Sequence, residues 1–134
     1  MQSRVLVVED TPAVLQFMLQ VLTQAGYDVL TALSLAEARA ILEKRSDLDG
    51  LGLVIDIVLD DGSGMHFAQD VVRRHADFRV LLTSGFTDDV LLTHPDESER
   101  IWFLKKPFTK NALLAAVGTL CDPNARGGGP AAEI

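Results

Sequence analysis

The sequence predicts an α/β fold, a parallel sheet of five strands with helices on both faces. Two observations carry that prediction. Apolar runs of strand length alternate along the chain with segments whose apolar residues recur at helical spacing. The first, third and fourth runs (4–8, 51–55 and 79–82) are almost continuously apolar, as strands buried on both faces must be. Right-handed crossovers leave few topologies for such a chain. One of them is the flavodoxin-like order 2-1-3-4-5, whose switch point lies between the first and third strands.

Each element follows from local chemistry. After the first strand, Thr11 is suited to cap a helix that has Pro12 at its first position. Leu15, Met18, Leu19 and Leu22 form the buried stripe of that helix, and Gly26 ends it. Residues 27–32 are expected as the second strand. Ser34 with Glu37 three residues later makes a capping box, opening a helix with Leu35, Ala38, Ile41 and Leu42 on one face. A polar loop over 44–50 precedes the third strand. Asp60, Asp61, Gly62, Ser63 and Gly64 are turn chemistry. Phe67, Ala68, Val71 and Val72 then stripe a third helix.

The segment 87–100 is the weakest, with only Val90, Leu91 and Leu92 apolar before Pro95 interrupts it, so a short or frayed helix is expected there. The fifth strand, 101–104, leads through Pro107 to a last helix capped by Thr109 and carrying Leu113, Ala116, Val117 and Leu120. One domain is therefore expected over 1–121. Residues 122–134, with Pro123, three consecutive glycines from Gly127 and Pro130, show no periodicity and are expected to form a flexible tail.

Composition narrows the class further. A chain of 134 residues falls in the commonest size range for one domain with its own core, and a hydrophobic share of 48% is enough to cover both faces of a sheet. The net charge of −7 argues against nucleic acid as a direct partner, because phosphate backbones call for clustered Lys and Arg. No apolar run approaches the roughly 18 residues of a membrane span, and the first residues lead straight into a strand without a signal-peptide pattern. Cys121 is the only cysteine, so no internal disulfide can form, and a reducing, cytoplasmic setting is expected.

Function is written at the strand ends. In an open parallel sheet the carboxyl ends of the strands line one edge, and ligands bind there. Here the first strand runs into Glu9 and Asp10, the third into Asp56, the fourth into Thr83, Ser84 and Gly85, and the fifth into Lys105, Lys106 and Pro107. Three carboxylates, a hydroxyl and an ammonium group thus converge on one crevice. A carboxylate can attack phosphorus and form an aspartyl phosphate. Phosphoryl transfer is mostly positioning and charge neutralisation. Magnesium favours oxygen ligands, usually one or two carboxylates plus phosphate oxygens, and a lysine is a compact point charge suited to one phosphate oxygen.

On these four motifs, in this order and spacing, residues 4 to about 121 resemble the receiver domains of two-component signalling, the response regulator family. The stretches 82–89 and 103–108 are similar to receivers of hybrid histidine kinases. The resemblance implies that Asp56 takes a phosphoryl group from a histidine kinase or histidine phosphotransfer protein. It implies that Glu9, Asp10 and Asp56, with the backbone carbonyl of Val58, hold Mg2+, and that Lys106 contacts the phosphoryl group. Thr83 would hydrogen-bond that group once attached, and Phe103 sits at the aromatic switch position. A cis Lys106–Pro107 bond is implied as well. The output would be a protein target met by the face of the fourth helix, fifth strand and fifth helix, with pairing of two copies left open. Such a domain catalyses only its own phosphorylation and dephosphorylation, and is not otherwise an enzyme.

Plainer roles stand beside these. Asp56 alone would more often be a turn or capping residue, Glu9 a solvated neighbour of Asp10, and Thr83 a strand terminator. Phe103 is equally well explained by core packing. Asp60 and Asp61 are expected as solvated turn residues. Asp60 stands where the family often has proline, which bears on the loop's stiffness. His66, His75 and His94 lack metal-like spacing and are expected on helix surfaces, Trp102 beside the core, and Lys105 in solvent. Three other classes fit the residues less well. A magnesium-dependent phosphatase with an aspartate nucleophile needs a second acid two residues on, where this chain has Val58. A phosphate-independent pseudo-receiver would be expected to lose an acid or the lysine, and none is missing. A nucleotide-binding domain would want a glycine-rich loop after the first strand, and residues 9–12 are not one.

Overall fold

A computed structural model of the chain describes residues 3–85 and 99–125. The elements run β1 (Arg4–Val8), α1 (Pro12–Gln24), β2 (Asp28–Ala32), α2 (Leu35–Lys44) and β3 (Gly52–Asp56). A short hairpin follows, β4 (Val58–Leu59) and β5 (Gly62–Ser63), and then α3 (Gly64–Arg74), β6 (Arg79–Ser84), β7 (Ile101–Lys105) and α4 (Lys110–Leu120). The main sheet has the order β2-β1-β3-β6-β7, parallel throughout. With the hairpin set aside, that is the predicted order 2-1-3-4-5. Most of the weak segment 87–100, including His94, and the chain beyond 125 lie outside the described residues.

Alternation along the strands divides the core into two. Leu6, Val8, Leu53, Ile55, Val80, Leu82 and Phe103 point to one side, where they pack with α2 and α3. Val5, Val7, Val54, Leu81 and Trp102 point to the other, against α1 and α4. Each fully buried leucine contributes about 1.5–3 kcal/mol relative to exposure, so this two-sided burial is what holds the strand ends in register. Register matters because it sets Asp56 opposite Thr83 across β3 and β6.

The helix starts show where local rules held and where tertiary contacts took over. Ser34 Oγ accepts the N–H of Glu37, Ser63 Oγ that of His66, and Thr109 Oγ1 that of Ala112. Thr11 occupies the capping position of α1 without a side-chain cap bond; its own N–H donates to Glu9 Oε2 at 3.1 Å. Asp61 is an exposed turn residue, as expected, but it also has a structural partner. Its two carboxylate oxygens accept the N–H groups of Leu35 and Ala36, each at 3.1 Å, closing the start of α2 from the hairpin. The depressed pKa of Asp61 follows from those two backbone donors.

At the amino edge of the sheet, arginines at strand starts bind helix ends. Arg79 donates to the carbonyls of Leu120, Asp122 and Pro123, and its guanidinium lies 5.6 Å from the Trp102 ring centre. Asp122 and Pro123, where a tail was expected to begin, are tied to the domain by these bonds. Arg100 donates to the carbonyls of Val72, His75 and Phe78. His75 stacks on Phe78 with ring centres 4.1 Å apart, so it is half-buried and not a plain surface position. Trp102 lies within the core itself and not merely beside it, while His66 and Lys105 are exposed, as expected.

Candidate functional site

Four strand ends meet at the carboxyl edge. The N–H of Glu9 donates to the Ala32 carbonyl, so the chain leaves β1 with the Glu9 side chain turned inward and only 1% of the residue exposed. That burial removes the alternative of a solvated neighbour. A buried carboxylate is costly without a partner, and Lys106 supplies one: its Nζ lies 2.7 Å from Glu9 Oε1 and 3.0 Å from Asp56 Oδ2. Burial pulls the Lys106 pKa down, and the bonds to Glu9 and then Asp56 more than offset it, leaving the ammonium harder to deprotonate than an ordinary lysine.

Asp10 is half-buried, and its Oδ2 accepts the N–H of Asp60 at 2.8 Å. Asp56 Oδ1 accepts the N–H of Val58 at 3.2 Å. One oxygen from each of Glu9, Asp10 and Asp56 lies within 4.8 Å of the others. Three carboxylates at that separation repel unless a cation sits among them, and hard oxygen donors of this kind suit Mg2+. The donor set therefore fits the ion that the resemblance implies. Val58 itself is on the exposed hairpin.

Thr83 is buried and its carbonyl accepts the N–H of Ile57 at 2.9 Å, which pins the chain just after Asp56. The Lys106 N–H donates to the Ser84 carbonyl at 2.7 Å, and the Lys106–Pro107 bond is cis, as expected. Phe103, one strand over and opposite Leu82, is buried in the core shared with Ile55.

Three features escaped sequence reasoning. Gly64 looked like turn chemistry, yet a Cβ there would stand 2.0 Å from the Asp56 carbonyl oxygen. Only glycine lets the start of α3 pass so close to Asp56. Asp61 looked like a turn residue alone because its backbone partners are 26 and 25 residues away in sequence. Asp60 is expected from sequence only as a solvated turn residue, whereas its N–H, which proline lacks, reaches Asp10. The one available signal was the unusual run of two aspartates before a glycine.

Comparisons with known proteins agree with this architecture. The response regulator receiver domain pattern matches residues 5–118. The chain belongs to the response regulator receiver domain family. It is 29% identical over 115 residues to the sensor kinase CckA of Brucella abortus, covering 86% of this chain and 12% of that protein. It is 33% identical over 117 residues to the C4-dicarboxylate transport transcriptional regulatory protein DctD of Pseudomonas aeruginosa, covering 87% and 24%. The chain thus spans a minor part of either relative. In fold it is similar to a response regulator receiver protein from Sinorhizobium medicae, with a TM-score of 0.79 over 91% of this chain and 96% of that one at 24% identity. Among the described residues, no helix is long and apolar enough to cross a membrane.

Proposed function

We propose that this domain accepts a phosphoryl group on Asp56 from a phosphohistidine on a histidine kinase or phosphotransfer protein, in the cytoplasm, and so switches a protein-binding surface. The observation that supports it most is the position of Lys106 Nζ, within hydrogen-bonding distance of both Glu9 and Asp56. One ammonium thereby offsets part of the acids' charge and marks where a phosphoryl oxygen would sit. Glu9, Asp10, Asp56 and the Val58 carbonyl would hold Mg2+, which when bound supplies charge neutralisation of the transferring group.

The chain's own residues do the rest. An Asp56 carboxylate oxygen attacks phosphorus, the P–N bond to the donor imidazole breaks, and a P–O bond to Asp56 forms. Lys106 meets one phosphoryl oxygen and the Thr83 hydroxyl another. Attachment adds about −1.5 to −2 charges, and drawing Thr83 toward them leaves room that Phe103 on the neighbouring strand can fill. The surface carried by β7 and α4, with the segment before them, is the output we assign. A groove of about 460 Å3 lined by Ala13, Val14, Phe17, Pro107 and Phe108 reaches Lys106, so a donor protein seated there brings its phosphoryl group to the crevice. No substrate other than the donor is turned over. A phosphatase reading lacks support because Val58 is where its second acid belongs, and a phosphate-independent module has no need of the joined acids and lysine.

The test is acetyl phosphate with Mg2+ and intact-mass analysis. Wild type should gain one phosphoryl group and Asp56→Asn none. Equal labelling of the variant would remove Asp56 as the acceptor.

A further inference from the structure

The hairpin that follows Asp56 sits over the acids and is fastened at both ends. Among its bonds are two N–H groups given to site carboxylates: Val58 to Asp56 Oδ1 and Asp60 to Asp10 Oδ2. The second is the shorter, at 2.8 Å. The hairpin has only two paired residues on each strand; Leu59 is buried in the core and anchors its first strand, but Asp60, Asp61 and Gly62 are exposed, so little burial holds the tip beyond Leu59 in place. What does hold it is Asp61, next to Asp60, whose carboxylate grips the first two N–H groups of α2. Such N–H groups have no partner within the helix and carry partial positive charge, so an aspartate there is well matched. Ser34 separately takes the third, from Glu37.

We infer that Asp60 and Asp61 form a positioning device for the metal-binding acids: Asp61 anchors the hairpin tip to α2, and the anchored Asp60 N–H fixes the orientation of Asp10. The inference deepens the proposed function and rests on it. The Asp60 N–H holds one Asp10 oxygen and leaves the carboxylate to meet a cation through the other. Neither Asp60 nor Asp61 is among the acids grouped for a cation. Both therefore act through Asp10. The same sentence of chain would lose the device if residue 60 were proline, because the donor is the backbone N–H itself.

Four substitutions separate this role from simple stabilisation. Asp60→Pro deletes the N–H; Asp60→Ala keeps it and removes the side chain. Asp61→Ala releases the hairpin and also uncaps α2; Ser34→Ala uncaps α2 alone. Mg2+ affinity is read by calorimetric titration of the full chain, and protection of the residue 60 amide by hydrogen exchange in metal-free protein. Outer-sphere partners of metal ligands typically govern affinity by about 10–100-fold. Asp60→Pro and Asp61→Ala should each weaken Mg2+ binding by about tenfold, the low end of that range, with the residue 60 amide losing protection in Asp61→Ala. Asp60→Ala and Ser34→Ala should keep wild-type affinity. Wild-type affinity in Asp60→Pro and Asp61→Ala, or equal weakening in Ser34→Ala, overturns the inference alone. A wild-type protein that binds no Mg2+ overturns the reading of the site, and the inference with it.

Discussion

Lys106 Nζ lies 2.7 Å from Oε1 of Glu9, a side chain with 1% of its surface exposed. The two come from opposite ends of the sequence, 97 positions apart, and meet only because β1 and β7 flank β3 and β6 in one sheet. A buried carboxylate of this kind depends on its partner. The same lysine stands beside Asp56, so it is also the cation with which a metal must share the crevice.

Lys106→Ala should therefore do two opposite things. Metal-free stability should fall by about 3 kcal/mol, the low end of the cost of breaking a buried pair, because Lys106 is itself 24% exposed. Mg2+ affinity should rise by about tenfold, since a charge-assisted hydrogen bond worth about 1.5–3 kcal/mol no longer competes for the acids. Thermal melts with and without Mg2+ measure both, and the ion should recover much of the lost stability. A variant with unchanged affinity would separate the lysine from the metal site.

Gly64→Ala should be strongly destabilising. Its Cβ would meet the Asp56 carbonyl oxygen at 2.0 Å and Ile55 Cγ2 at 3.1 Å. Backbone must move, at a cost of about 3 kcal/mol or more by the usual range for overpacking. Phosphoryl uptake from acetyl phosphate should slow as well, because the strand end that moves carries Asp56. Denaturant unfolding and intact-mass time courses are the measurements. Stability within about 1 kcal/mol of wild type would contradict the contact.

Cys121 should be slow to react and should make stability fall at alkaline pH. Burial is the main reason its thiol pKa is raised above the ordinary 9.0, and a Ser3 hydrogen bond with the Arg79 charge offsets part of the rise. The unfolded chain ionises first as pH climbs. The thiol's contribution is thus fully present below about 9 and is lost as pH rises through the higher folded value. Native protein at pH 8 should label with iodoacetamide far more slowly than protein in denaturant, and equal rates would place the thiol in solvent.

Beryllofluoride, a phosphoryl mimic, should shift amide resonances well beyond Glu9, Asp10 and Asp56. Thr83 pairs with Asp56, and Phe103 is opposite Leu82, one position before Thr83. Displacement of the threonine is felt by that ring because close-packed cores transmit small volume changes. Shifts should therefore reach residues 99–108. Changes confined to the acids would leave a phosphate relay or sink in place of a switch.

Much of this protein is legible in the sequence, because the signals are local. Continuous apolar runs such as Val5 to Val8 have to be buried on both faces, and burial on both faces implies a parallel sheet with helices on each side. Polar residues at the ends of those runs can only emerge at the carboxyl edge, so Glu9, Asp10, Asp56, Thr83 and Lys106 were identifiable before any coordinates. Capping by Ser34, Ser63 and Thr109 depends on side chains within three residues and was equally readable for two of the three.

Tertiary structure decided the rest. Whether Glu9 is solvated or buried depends on what crosses above it, and that is Lys106 from the far end of the chain. Whether Asp61 is only a turn residue or also the cap of α2 depends on where the hairpin lands, and sequence neighbours carry no trace of a partner 26 positions away. The demand for glycine at position 64 arises from a single backbone oxygen of Asp56. Hydrophobic pattern is a property of a segment and survives in one dimension. Hydrogen bonds and steric contacts are short-ranged in space but not in sequence, and folding alone brings their partners together.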